Sequence, residues 1–208
     1  LGRTVEFDQL PERVVIAGKA TTLITGVAYF FPRASQVIVA VEERNQSGKT
    51  VMPMLDTAWA DKAVLETDAS AEQIAPLKPD LVILKTYMAE TLGIPLEQLG
   101  IKVVYVDMET PESFYRDVAV LGALLGDPAR AEEVTEFYQA AVEYTLAGTA
   151  NLSDEERPSV LLLQYSDKGG TVSFNVPPAG WIQTWMVEAA GGKPAWALDE
   201  SAKGWTVV

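Results

Sequence analysis

The short β-branched runs at residues 13–17 (RVVIA), 36–41 (QVIVAV), 81–84 (LVIL) and 101–106 (IKVVYV) constrain the fold of this chain most strongly. Apolar runs of this length, bounded by turn residues, read as strands buried on both faces. The first ends at Gly18, the third is entered through Pro79-Asp80, and the fourth is closed by Asp107. Helical stretches lie between them. Residues 21–31 are apolar on most sides, residues 70–78 open on Ser70 as a cap with Glu72 in the first turn, and residues 96–99 stop at Gly100. Strand and helix in alternation imply a mainly parallel sheet with helices on its faces and right-handed crossovers. Residues 3–7 alternate and read as one more strand, and residues 42–57 read as a loop with a short helix.

After residue 111 the period changes. Phe114, Val118, Leu121 and Leu125 recur at three- and four-residue spacing, which predicts a helix with one buried stripe. Gly126-Asp127-Pro128 interrupts it, and helical spacing resumes through Ala131, Val134, Phe137, Ala141 and Tyr144. Placed end to end, the two pieces would span about 50 Å, too long for a crossover under one small sheet. A polar connection at residues 151–158 leads into a second α/β unit. Its expected elements are a buried strand at 159–164 (SVLLLQ), a β stretch at 171–174, and a helix at 181–190 ended by Gly191-Gly192. This unit reads as the start of a lobe that is incomplete at residue 208.

Charge and composition exclude several classes of function. A net charge of −13 with pI near 4.4 argues against nucleic acid as a partner, since phosphate binding needs clustered Lys and Arg. The chain has neither cysteine nor histidine, so disulfides, thiolate or imidazole metal sites and His-dependent triads are all ruled out. No run approaches the roughly 18–20 apolar residues of a membrane-spanning helix. Ser47-Gly48-Lys49-Thr50 is similar to the end of a phosphate loop, but Glu43 occupies the position where that loop needs glycine. An α/β enzyme with a nucleotide or metal cofactor is therefore the alternative function, and it lacks a constellation to carry it. The acidic pairs Glu42-Glu43, Glu132-Glu133 and Glu155-Glu156 read as solvated faces.

Ligands of open sheets bind beyond the carboxyl ends of the strands. Gly18-Lys19-Ala20-Thr21 follows the first strand and opens a helix. It reads equally as a place for an anionic group, with Lys19 and Thr21 in contact, or as a plain turn capped by Thr21. Lys85-Thr86-Tyr87 follows the third strand; Lys85, Thr86 and Tyr87 read either as a ligand wall or as a strand end at which Tyr87 merely covers the sheet edge. Aromatic residues crowd the second unit, and Tyr165, Phe174 and Trp181 are its pocket candidates for a flat or bulky organic ligand.

The order of these segments resembles a known family. Leu1-Gly2-Arg3-Thr4-Val5 and Pro11-Glu12-Arg13-Val14-Val15, then Ser70-Ala71-Glu72-Gln73-Ile74 through Lys78-Pro79-Asp80-Leu81-Val82-Ile83, are similar to solute-binding proteins of the ferric-siderophore, haem and cobalamin ABC importers. Leu99-Gly100-Ile101-Lys102-Val103-Val104 and the stretch from Leu121-Gly122 to Ala131-Glu132 match as well.

The resemblance implies an α/β fold of two Rossmann-like lobes with mainly parallel sheets, joined by a long backbone helix. Here the lobes would be residues 1–110 and 158–208, the latter incomplete, with residues 111–150 between them. It further implies a non-enzymatic, extracytoplasmic protein, periplasmic or anchored at the cell surface as a lipoprotein. Such a protein needs no cofactor, captures a siderophore-, haem- or cobalamin-like ligand and delivers it to a membrane permease. Docking to the permease would use an exposed glutamate on each lobe, Glu90 on the first and Glu188 on the second, one turn beyond Trp185 at the family's usual position. Direct ferric coordination would call on oxygens such as those of Tyr87, Tyr165 and Asp56, whereas a preformed chelate needs no protein ligand to its metal.

Overall fold

The computed structural model describes residues 2–43, 51–196, 198, 200–202 and 204–208, so the Ser47–Thr50 segment lies outside the described residues. The chain divides into two units, Leu1–Asp107 with Tyr115–Val134, and Met108–Phe114 with Thr135–Val208.

The first unit is built on a five-stranded, wholly parallel sheet of order β3-β2-β1-β4-β5. Its strands are β1 (Val14–Ile16), β2 (Ile38–Glu42), β3 (Ala63–Leu65), β4 (Leu81–Lys85) and β5 (Val103–Val106). The central strands β1 and β4 are buried at every residue, as their unbroken apolar runs require when both faces of a sheet are covered. Val15, Ala40, Val82, Leu84 and Val103 pack on one face with Ile74 and Leu96. Val14, Ile16, Leu81 and Ile83 are equally buried and, by strand alternation, point the other way. Edge strand β3 had no sequence signal, since it is only three residues long and two of them are exposed.

The helices of this unit are α1 (Thr21–Ala28), α2 (Ala34–Val37), α3 (Met52–Leu55), α4 (Ala71–Ile74) and α5 (Ile94–Gln98). Ser70 opens α4 with a capping box, its N–H donating to the Gln73 side chain at 2.8 Å. Pro76 then tightens the chain into a 3₁₀ turn, Ala75–Leu77, so the expected helix to Lys78 is α-helical for only its first turn. Residues 3–7 are not a strand. No ladder forms there, and side chains hold the segment instead: Arg3 pairs with Glu97 and stacks over Tyr105 at 5.0 Å, and Lys102 donates to the Glu6 carbonyl.

Helices α6 (Pro111–Leu124) and α7 (Pro128–Thr149) each contribute residues to both units. Gly126, at φ 73°, ends the first, and Asp127 caps the second through the Arg130 N–H at 3.0 Å, with Pro128 in its first turn. Gly122 lets the helices close on each other: a Cβ there would lie 2.6 Å from that of Ala131. The stripe on α6 is buried at Val118, Leu121 and Leu125. On α7 only Ala131 and Val134 are buried, and Phe137 and Tyr144 are exposed, because shared helical spacing places residues on one face without supplying anything to cover it.

The second unit carries β6 (Ser159–Val160), β7 (Gln164–Ser166), β8 (Ser173–Val176), α8 (Ile182–Ala189), β9 (Lys193–Pro194) and β10 (Thr206–Val207). Strands β6 and β9 pair in parallel, while β10-β8-β7 form an antiparallel ladder rather than the parallel pairing expected. The reason is geometric, since the link at residues 167–172 is too short for a crossover, which needs about a dozen residues. The single buried strand expected at residues 159–164 is two short strands with Leu161 and Leu163 exposed between them. Helix α8 starts after Trp181, and its end is tied to α7 by the Thr149 hydroxyl, which donates to the Ala189 carbonyl at 3.0 Å.

Candidate functional site

Parallel strands place all their carboxyl ends along one edge, and in the first unit that edge gathers Glu42 and Lys85, the last residues of β2 and β4, with Lys19, Asp68, Tyr87 and Asp107 from the segments after β1, β3, β4 and β5. Lys19 is half exposed and pairs with Asp68 at 2.9 Å. Thr21 is buried and does not cap α1. Its hydroxyl donates to the Glu42 carbonyl at 2.9 Å, and the N-cap is Ala20, in the left-handed region at φ 55°. Lys85 is fully buried and donates to the Asp107 carbonyl, joining the ends of β4 and β5. Thr21 and Lys85 therefore brace the edge from within and are not presented to a ligand. Tyr87 is 59% exposed on the turn after β4, and Glu90 is exposed on the next turn, Ala89–Gly93.

Two carboxylates depart from the sequence reading. Glu42 is not on a solvated face but only 1% exposed, because it continues the buried face of β2 after Ile38 and Ala40. That two-residue spacing was the signal for it. Asp56 is no free metal ligand either. It pairs with Lys62 at 3.2 Å, accepts the Ala58 N–H at 2.9 Å and receives the Tyr29 hydroxyl. Burial pushes the Asp56 carboxyl up, and these three partners outweigh it, leaving its pKa below the usual carboxylate value. Glu43, Glu132, Glu133, Glu155 and Glu156 are exposed as expected.

A cavity of about 650 Å³ lies elsewhere in this unit. Its walls come from the segment after Gly2, from β5 and from α6, and include Arg3, Tyr105, Arg116 and Asp117 but none of the candidates. Asp117 is buried, accepts the Asp107 N–H at 2.6 Å and pairs with Arg116 at 2.8 Å, which anchors α6 to the end of β5.

In the second unit Tyr165 and Phe174 are directly opposed across β7 and β8, their rings 5.9 Å apart and edge-on. They are 59% and 46% exposed. Trp181 makes a different pair, with Trp205 at 6.3 Å, while Trp196 donates its indole N–H to the Pro177 carbonyl at 3.0 Å. Glu188 is exposed on α8. Among the described residues no group of three or more acidic side chains is placed to hold a metal ion, and no helix is long and apolar enough to cross a membrane.

This arrangement, a parallel sheet whose loops project from one edge, agrees with the family relationship in the sequence. The family described as Periplasmic binding protein matches residues 34–202. The chain belongs to that family. Solved structures similar to this periplasmic binding protein include the TroA-like periplasmic binding protein FepB from Veillonella parvula (TM-score 0.73, 21% identity, covering 100% of this chain and 63% of that one). Staphylococcus aureus IsdE complexed with heme has a TM-score of 0.69 at 16% identity, covering 93% of this chain and 68% of that one. MolA, the molybdate periplasmic binding protein of a Haemophilus influenzae ABC transporter, has a TM-score of 0.74 at 16% identity, covering 96% and 65%. At these identities the likeness establishes the fold alone. The periplasmic binding protein thus spans about two thirds of the length of these structures. No curated protein matches it.

Proposed function

We propose that this chain is the substrate-binding component of an ABC importer, taking an iron-siderophore-like or other metal-chelate ligand between two lobes and delivering it to the membrane permease outside the cytoplasm. Residues 1–110 and 158–208 would supply the lobes and residues 111–150 the link. Family membership supports the transport role, and the related structures named for heme and molybdate show how widely ligands vary on this fold.

The observation that carries the choice of ligand is the solvent-facing Tyr165–Phe174 pair. Large aromatic rings left exposed in register suit a bulky organic ligand better than a bare oxyanion. Tyr87 would contribute from the first unit, Trp181 from the second, and Lys19 a charge at the rim. Because the Asp56 oxygens are already engaged by Tyr29, Ala58 and Lys62, a preformed chelate is favoured over direct ferric coordination through that residue. Glu90 and Glu188 would dock on the permease.

Mass spectrometry of the ligand that co-purifies with the protein tests this reading, together with thermal shifts against a panel of siderophores, haem, cobalamin and oxyanions. A metal chelate that binds and raises the melting temperature is expected. No shift with any member would overturn the reading, and a shift with oxyanions alone would replace the chelate by an inorganic ligand.

A further inference from the structure

Residues 3–7 alternate without forming a strand, and they line a cavity that the chelate site does not use. Val5 and Phe7 are part of its wall, whereas Glu6 and Asp8 are exposed and are not. Leu10 extends the wall along the same segment. The remaining apolar walls are Val103 of β5 and, one helical turn apart on α6, Val120 and Leu124. The stripe Val118, Leu121 and Leu125 is already buried, so α6 carries a second apolar face beside the first.

The wall formed by the segment is fastened along its length. Lys102 donates to the Glu6 carbonyl and lies over the Phe7 ring at 4.6 Å. Leu10 sits against Gly126, where a Cβ would lie 2.6 Å from the leucine Cδ1. Beyond it, the N–H groups of Glu12 and Arg13 donate to the Asp80 carboxylate at 2.8 and 3.0 Å. At about 650 Å³ the space falls within the range of small-molecule sites, about 300–1,000 Å³.

Two cations line the cavity. Arg3 is taken up by Glu97 and the Tyr105 ring. Arg116 is bound on one side only. Its Nε donates to Asp117 at 2.8 Å, and Asp117 is held in turn by the Asp107 N–H. Neither terminal nitrogen of Arg116 has a protein partner among the described residues. The bond through Nε orients the planar guanidinium, and the terminal N–H groups form the fork that matches a planar pair of oxygens. The Arg116 side chain is 47% exposed, so a charged head group bound there stays partly in water.

We propose that this cavity binds a small amphiphilic carboxylate, its apolar chain lying among Val5, Phe7 and the Val120–Leu124 face of α6 and its carboxylate on the terminal nitrogens of Arg116. The acidic side chains of the segment lie outside the wall, and Asp117 is engaged on the Nε side of the guanidinium. None of the candidates at the strand ends lines this cavity, so the proposal does not rest on the chelate reading.

The test follows the methyl resonances of Val5, Val103, Val120 and Leu124 while the protein is titrated with octanoate, with its uncharged isostere octanamide and with the cation octyltrimethylammonium. Saturable shifts of these methyls are expected, with octanoate binding about tenfold more tightly than octanamide through its charge-assisted hydrogen bonds. Arg116→Gln should erase that difference. Unshifted methyls, an affinity for octanoate no higher than for octanamide or the cation, or an undiminished octanoate affinity in Arg116→Gln would each overturn the proposal. Shifts concentrated at the Tyr165 and Phe174 rings instead would place octanoate in the other unit and overturn it as well. Should Arg116→Gln not fold, the ratio of octanoate to octanamide affinity in the wild type decides alone.

Discussion

The Tyr29 hydroxyl donates to Asp56 Oδ2 at 2.6 Å, fastening α1 to the loop that follows α3. The same Tyr29 ring meets Trp59 edge-on at 6.0 Å. Burial and the neighbouring carboxylate push the Tyr29 hydroxyl well above its ordinary pKa of 10.0. Asp56 moves the other way, below 3.8. A carboxylate held low in the folded state contributes stability that is complete above the unfolded value and lost as pH falls through the folded one. A phenol held high contributes stability that is complete below its unfolded value and lost as pH rises beyond it. Stability from this pair is therefore expected to be flat between about pH 5 and 9, with one acid and one alkaline limb. Tyr29→Phe should remove the alkaline limb and cost about 1.5–3 kcal/mol at neutral pH, the range for a hydrogen bond to a charged group. Urea midpoints across pH read both effects, and an alkaline limb that survives in Tyr29→Phe would assign it to another group.

Gly122→Ala tests the closeness of α6 and α7. The added methyl would lie 2.6 Å from the Ala131 Cβ and 3.1 Å from the Asp127 carbonyl oxygen, so backbone has to shift. Alanine's better helix propensity returns only about 1 kcal/mol, against about 1–3 kcal/mol for overpacking. A net loss of stability in chemical denaturation is expected, and a gain would mean that the helices part at little cost.

Tyr165→Ala and Phe174→Ala separate stability from binding. Both residues are largely exposed, and their mutual ring contact contributes about 0.5–1.5 kcal/mol. Each variant should therefore stay folded while losing about tenfold in affinity for a bound chelate, if the pair forms the aromatic wall. Calorimetric titration with unchanged affinity in both would remove the pair from the site.

Glu90→Lys and Glu188→Lys should leave ligand affinity as it is and lower uptake in cells, since both side chains are exposed and charge reversal across an interface opposes docking. Transport at the wild-type rate with either variant would strike that residue from the docking surface.

How much of this was legible in the chain depends on the range of the interactions involved. The central strands, the α4 cap at Ser70 and the break at Gly126-Asp127-Pro128 follow from neighbours in sequence. A β-branched run buries both faces, a serine bonds the next turn, and a glycine–proline pair ends one helix and starts another. What the sequence left open depends on distant partners. Residues 3–7 alternate like a strand, yet they are held by Glu97, Tyr105 and Lys102, far along the chain. Phe137 and Tyr144 keep helical spacing with Val134 but are exposed, because periodicity defines a face and not what covers it.

The carboxylates show the same division. Glu42, Asp56 and their solvated neighbours are alike as residues, and only the fold determines which meet donors out of water. Burying a carboxylate is costly unless several hydrogen bonds compensate, and the N–H groups of Gly18, Asp68 and Ala58 that do so are brought there by backbone turns. The sequence by itself determined the central strands, the break between α6 and α7 and the family they compose. The tertiary structure decided which charged and aromatic side chains are buried against partners and which are exposed, because that depends on which neighbours distant parts of the chain supply.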